Sequence, residues 1–253
     1  MPATIYNQYD HIMFELLHPG KIGNFSIEKT LIEKGTILNM YDRKEGRIFK
    51  GRYTFDYPLV VLREGGEVWM SDSQIEIESV AGAAEAAKGD VLIGGLGVGL
   101  LPIFICDKVN SITVVELHKE VIDLVFPYLI IPGMEVMNDD IFHYLATTKF
   151  RYDFIHIDIW NNTTAPIMEI DKARKAASKC LKPGGVVWCW LQELYDRIKD
   201  KLPRKPVCSS GITNEPCLIC GKTLRHDYAG LCMDCADLMG LSEPFMKGGK
   251  NVK

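Results

Sequence analysis

The sequence predicts an α/β fold: a doubly wound parallel sheet, preceded by β-hairpins and followed by a small zinc-binding module. Three observations lead there. From Asp90 to Trp190 short apolar runs alternate with helical segments, the pattern of strand, crossover and parallel strand. Before Ser71 the runs are strand-like and punctuated by turn residues. Beyond Lys201 a stretch containing Pro203, Pro206, Ser209, Ser210 and Gly211 leads to two C-x-x-C pairs. The expected divisions are 1–71 for the hairpins, 72–201 for the α/β domain, and 202–253 for a linker and the cysteine module.

Taken in order, Gly46–Gly51, Tyr53–Tyr57 and Leu59–Arg63 read as strands. Glu67–Met70 follows after the turn Glu64-Gly65-Gly66. Ser73-Gln-Ile-Glu76 has capping-box spacing, and the Ala-rich stretch to Lys88 favours a helix that Gly89 ends. Buried-strand runs are expected at Val91–Ile93, Ile112–Val115, Glu135–Met137, Phe154–Ile157 and Val186–Trp190. Helices are expected at Leu100–Cys106, Lys119–Tyr128, Ile141–Thr147 and Ala165–Leu181. Right-handed crossovers between these strands produce a doubly wound sheet.

The chain has 253 residues, 47% hydrophobic and 25% charged, which is ordinary globular usage and excludes disordered and fibrous classes. Its longest apolar stretch, Val91–Ile105, is interrupted by four glycines and a proline, so no membrane span is expected. Residues 1–10 lack the basic start and apolar run of a secretory signal, so the expected location is the reducing cytoplasm. The eight cysteines are then thiols or metal ligands, with Cys106, Cys180 and Cys189 expected in the core. Net charge is −4, but residues 197–253 carry ten Lys/Arg against six Asp/Glu, leaving −8 on residues 1–196. That main body is a poor non-specific binder of nucleic acid.

Within Val91–Leu100 a strand runs into Gly95, Gly97 and Gly99 and then a helix start, so backbone can approach a ligand unobstructed. A nicotinamide dinucleotide fingerprint needs Gly or Ala at position 100, where Leu100 stands. Glu116 follows Gly97 by nineteen positions at the end of the next strand, where a carboxylate can accept both hydroxyls of a ribose. Asp140 precedes the helix Ile141–Thr147. It either accepts the exocyclic amine of an adenine, with Ile141 or Leu117 against the ring, or caps the helix; Asp139 competes for either role. Asp158, last in Tyr152-Asp-Phe-Ile-His-Ile-Asp158, faces the glycine loop across the topological switch and is the catalytic candidate, as anchor or base for a substrate amine. Its alternative is to order its own loop. His156 reads as a core histidine and Trp160 as a stacking wall or lid. Ser71, Asp72 and Glu76 are candidates for the far side of the crevice.

With Leu181-Lys-Pro-Gly-Gly-Val-Val187, these motifs resemble class I S-adenosylmethionine-dependent methyltransferases over about residues 45–192, and the hairpins resemble the spermidine synthase-like subgroup. The resemblance implies a Rossmann-like fold in which Gly95, Gly97 and Gly99 cradle the methionine part of S-adenosylmethionine, Glu116 holds the ribose and Asp140 the adenine. The sequence departs from that pattern in places. Ile93 stands where an acid is usual, Gly94-Gly-Leu-Gly-Val-Gly99 lacks the aspartate of aminopropyltransferases, and their second loop acid is Asn161 here. These losses favour methyl transfer over aminopropyl transfer. The methyl acceptor stays open between a small molecule and a macromolecule, and a non-catalytic nucleotide-binding module is the reading from another class.

Cys217-Leu-Ile-Cys220 and Cys232-Met-Asp-Cys235, eleven residues apart, have the spacing of a closed tetrathiolate zinc site. So small a module needs a metal staple, which makes the zinc structural. This ribbon could bind a protein partner, recognise a macromolecular substrate through Lys222 and Arg225, or cover the sheet edge.

Overall fold

In a computed structural model of the chain, residues 11–45, 47–160, 167–190 and 196 are described. After a short helix, α1 (Ile12–Leu16), strands β1 (Gly20–Ile22), β2 (Phe25–Ile32), β5 (Tyr57–Glu64) and β6 (Glu67–Ser71) form an antiparallel sheet in the order β1-β2-β5-β6. β2 turns Phe25 and Ile27 inward and Glu28 outward, the two-residue period of a half-buried strand. Between β5 and β6, Gly65 and Gly66 take φ values of 58° and 95°, as a two-residue primed hairpin turn requires.

Strands β3 (Ile37–Asp42) and β4 (Arg47–Arg52) make a separate hairpin. The expected strand Tyr53–Tyr57 is not formed: strand structure stops at Arg52 and resumes at Tyr57. Tyr53 is instead buried with Tyr57 and Ile32, its ring 5.3 Å from that of Tyr57, so its aromatic residues serve a local cluster rather than a ladder.

Helix α2 (Gln74–Ala86) begins where expected, but no capping box forms, since Ser73 makes no side-chain cap bond. The side chains of the first turn have other partners. Gln74 exchanges two 2.8 Å hydrogen bonds with the backbone of Tyr41 and so docks the β3/β4 hairpin. Glu76 is drawn inward, where Oε2 accepts the Trp190 indole N–H at 3.3 Å.

The α/β part consists of β7 (Asp90–Gly94), α3 (Leu100–Ile105), β8 (Ser111–Glu116), α4 (Lys119–Val125), β9 (Met134–Asn138), α5 (Ile141–Thr147), β10 (Tyr152–Ile157), α6 (Ile167–Ala177) and β11 (Leu181–Cys189). Among the described residues its sheet is parallel, in the order β11-β10-β7-β8-β9. Strand order reverses at β7, so the carboxyl ends of β7 and β10 open the crevice that doubly wound sheets use for ligands. Both faces are covered. Val80, Leu100, Phe104, Val121 and Phe154 pack on one with Phe25, Val60 and Leu62 of the N-terminal sheet, whereas Ile141, Tyr144, Ile155, Ile157 and Ala173 pack on the other.

β11 starts at Leu181 rather than Val186 and ends before Trp190. Tyr152 pairs with Leu181 but Phe154 with Val186, so Lys182–Gly185 bulges from the ladder. Cys180 and Cys189 are buried as expected, but Cys106, the C-cap residue just after α3, is exposed; its thiol donates to the Ile103 carbonyl at 3.3 Å. Among the described residues no helix is long and apolar enough to cross a membrane. Asn161 and the cysteine module with Cys217, Cys220, Cys232 and Cys235 lie outside the described residues.

Candidate active site

The strand-to-helix turn after β7 is built on three glycines in the left-handed region: Gly95 at φ 95°, Gly97 at 52° and Gly99 at 86°. Side chains are also excluded by what lies close. A Cβ on Gly95 would run into the Asp158 carbonyl oxygen, and one on Gly97 into the Met70 sulfur. Hydrogen bonds at 2.9 Å from Gly95 N–H to Val115 O and from Asp158 N–H to Gly94 O tie the loop to both neighbouring strands.

Glu116 ends β8 directly beneath this loop. Its Oε2 accepts Leu96 N–H and its Oε1 accepts His118 N–H, both at 2.8 Å. The carboxylate thus shapes the glycine turn, and each oxygen keeps a lone pair for a further donor. It lines a cleft with a cavity volume of about 130 Å³ together with Gly95, Gly97 and Asp158. These four of the sequence-predicted residues are therefore brought together.

Asp158 enters the cleft from the end of β10, partly accessible from it and otherwise enclosed by protein. Burial, then the nearby Glu76 carboxylate, raises its pKa well above the ordinary range. No lysine or arginine stands among the described lining residues. Three indoles wall the cleft: Trp69 from β6, Trp160 after β10 and Trp190 after β11.

Gly99 and Asp140 are not among the lining residues. Gly99 is the N-cap of α3, and a Cβ there would meet Leu129. Asp140 is the exposed N-cap of α5, its Oδ1 accepting His143 N–H at 2.9 Å. Asp139 is engaged by the His143 ring at 2.9 Å, which holds its carboxyl below the usual range. Of the three candidates on the far side, Glu76 lines the cleft. Ser71 and Asp72 do not: Asp72 turns to the β5 backbone and accepts Val60 N–H at 2.7 Å. Trp69 and Trp190 were missed in the sequence because each reaches the cleft through packing between distant segments, whereas His118 follows the predicted Glu116 by only two positions, so the strand-end signal that marked Glu116 could have found it.

No protein-family model matches the chain, and no curated protein matches it. Among solved structures it is similar to the DhpI–SAH complex, at 21% identity over 45% of this chain and 56% of that one, with a TM-score of 0.37. It is also similar to the O-methyltransferase TomG from Streptomyces achromogenes in complex with SAM, at 16% identity over 45% and 53%, TM-score 0.37. A third is human methyltransferase-like protein 13 in complex with SAH, at 24% identity over 43% and 56%, TM-score 0.33. The chain spans a little over half the length of each of these structures.

Proposed function

We propose that the chain is an S-adenosylmethionine-dependent methyltransferase with a spermidine synthase-like arrangement of N-terminal strands over the cleft. The observation that carries this reading is one carboxylate, Glu116, holding the glycine loop by Leu96 N–H while facing the cleft into which Asp158 also opens. The residues fit the cofactor. Gly95 and Gly97 stand where any Cβ would clash, and Glu116 has two unused acceptor positions for a vicinal diol. Asp140, at the neighbouring strand end, is assigned to the adenine.

When bound, S-adenosylmethionine supplies a methyl group activated by the positive sulfonium. The protein's part is alignment and exclusion of water. Trp69, Trp160 and Trp190 wall the acceptor site, and Asp158 anchors the acceptor and takes its proton. A carboxyl whose pKa burial has raised holds that proton closer to neutral pH than an ordinary aspartate does.

One observation favours aminopropyl transfer as a second reading. Glu76 and Asp158 face a cleft with no lysine or arginine among its described lining residues, a setting that suits a donor lacking the methionine carboxylate. Isothermal titration with S-adenosylmethionine, its decarboxylated form and NAD separates these readings. S-adenosylmethionine is expected to bind best, with affinity falling about tenfold or more in Glu116→Gln, on the scale of one charge-assisted hydrogen bond. Preference for the decarboxylated donor would promote the second reading. Binding without turnover on any acceptor would favour a non-catalytic module, and no binding by any of the three would overturn the assignment. The cysteine module is proposed as a structural zinc ribbon that engages a protein partner. Metal analysis of the full chain should find zinc that is lost in Cys217→Ser.

A further inference from the structure

Beside the glycine loop, a second cavity of about 20 Å³ is lined by His156, Asp158, Gly95, Leu96 and Gly97 and bordered by apolar side chains such as Ile93 and Leu101. That is room for one water molecule, for which roughly 10–15 Å³ suffices. His156 is 2% exposed, and its Nδ1 is buried with no hydrogen-bond partner among the described residues. Burial keeps the imidazole neutral, its pKa pushed down to about 3. A buried polar atom of this kind calls for a partner, and the cavity that His156 lines is also lined by Asp158. Strand register explains the position: His156 on β10 lies opposite Ile93 on β7, so the imidazole is the polar side chain that these two paired positions offer beside the loop.

We propose that His156 is a positioning residue which, through one water in this cavity, braces Asp158 and the glycine loop. A neutral imidazole has one donor and one acceptor nitrogen, so Nδ1 can engage the water in either tautomer. The water then donates one proton to the Asp158 carboxylate. Its remaining valence is open to the backbone of Gly95–Gly97. Among the described residues, the titratable groups around Asp158 are Glu76 from α2, Glu116 and His118 at and after the end of β8, Cys189 on β11 and His156 on its own strand. Glu76 and burial favour the protonated acid, whereas a water that donates to the carboxylate opposes them. The importance of this brace for catalysis rests on the methyltransferase reading; the contact itself does not.

The test needs no cofactor. The Asp158 carboxyl is titrated by carbon-13 NMR, with the signal assigned by Asp158→Asn, in the wild-type chain, His156→Phe and His156→Gln. His156→Phe is expected to raise the Asp158 midpoint by about half a unit or more, as loss of a hydrogen bond to the charged form does. His156→Gln, which keeps a polar atom, should remain near the wild-type value. A high-resolution crystal structure of the wild-type chain should show one water within hydrogen-bond distance of His156 Nδ1 and Asp158. A dry cavity there would overturn the proposal, and so would identical Asp158 titrations in the wild type and His156→Phe. The wild-type crystal structure decides the matter if the Phe variant does not fold. Failure to bind S-adenosylmethionine would remove the functional reading and leave this result untouched.

Discussion

At Glu116 each carboxylate oxygen already accepts a backbone N–H, from Leu96 and from His118. Truncation to alanine would leave two donors without partners, at about 1–3 kcal/mol for each that stays buried, so a weakened ligand in that variant would mix lost contact with a collapsed loop. Glutamine keeps one acceptor oxygen but sets its NH2 against the other backbone donor, so it perturbs the loop less than alanine and its affinity is read beside its stability. Asp140 poses the same problem in another form. It caps α5 through His143 N–H, and its proposed second role is toward adenine. Asp140→Ala is expected to lower stability by about 1 kcal/mol, the usual worth of a cap, and to weaken S-adenosylmethionine as well. Asp140→Ser retains a capping oxygen but loses reach and charge, so it should weaken the ligand alone. Urea unfolding beside calorimetric titration reads both quantities. Unchanged affinity in the two variants would reduce Asp140 to a cap.

Strand β11 carries its own anchoring device. Its bulge is pinned by Lys182, whose Nζ lies 2.5 Å from Asp90 Oδ2 on β7 and 2.7 Å from Asp153 Oδ2 on β10. Asp153 Oδ2 also accepts Asp90 N–H at 2.7 Å, so three neighbouring strands meet at this point. Gly185 has no room for a side chain, since a Cβ there would lie 3.0–3.1 Å from three carbonyl oxygens. The hydrogen bond to Lys182 holds both aspartates below the usual carboxylate range. A carboxyl with a depressed folded-state pKa contributes stability above its unfolded pKa and loses it as pH falls through the folded value. Lys182→Met should therefore lower the thermal midpoint at pH 7, and the gap to the wild type should close on acidification below the carboxylate range. Equal midpoints at pH 7 would mean that the bulge holds without the ion cluster. The Leu-Lys-Pro-Gly-Gly run marks a helix-to-strand junction in the sequence, but the early start of β11 depends on two partners far away in the chain.

Among the described residues, buried groups pull stability in opposite directions with pH, the Asp72 and Asp158 carboxyls one way and His156 the other. Burial raises the Asp72 carboxyl to about 7, so the native state binds its proton where the unfolded chain has lost it, and stability falls as pH rises from about 4 through 7. His156, held down to about 3, remains neutral where the unfolded chain binds a proton, so stability rises with pH between about 3 and 6.5. The two partly cancel. Asp72→Asn, which keeps an oxygen for Val60 N–H, should steepen the rise with pH that His156 supplies, with Asp158 still opposing it. It should stabilise the chain near pH 8 by up to about 4 kcal/mol, from roughly 1.4 kcal/mol per pKa unit. Urea unfolding between pH 4 and 8 checks this, and the same slope in variant and wild type would rule it out. What the sequence by itself determined is local. Alternation and punctuation located β7–β10, the glycine turn and the strand-end acids Glu116 and Asp158, because strand period, φ sign and chain direction depend on neighbouring residues alone. The walls and electrostatics of the site were decided only in three dimensions. Ser73-Gln-Ile-Glu76 carries a capping-box pattern, yet Gln74 is engaged by Tyr41 and Glu76 by Trp190, 114 positions away. Burial of one carboxyl beside another, and the meeting of Trp69, Trp160 and Trp190 around them, follow from how sheet, helix and hairpin pack, a free energy that no local window of sequence contains.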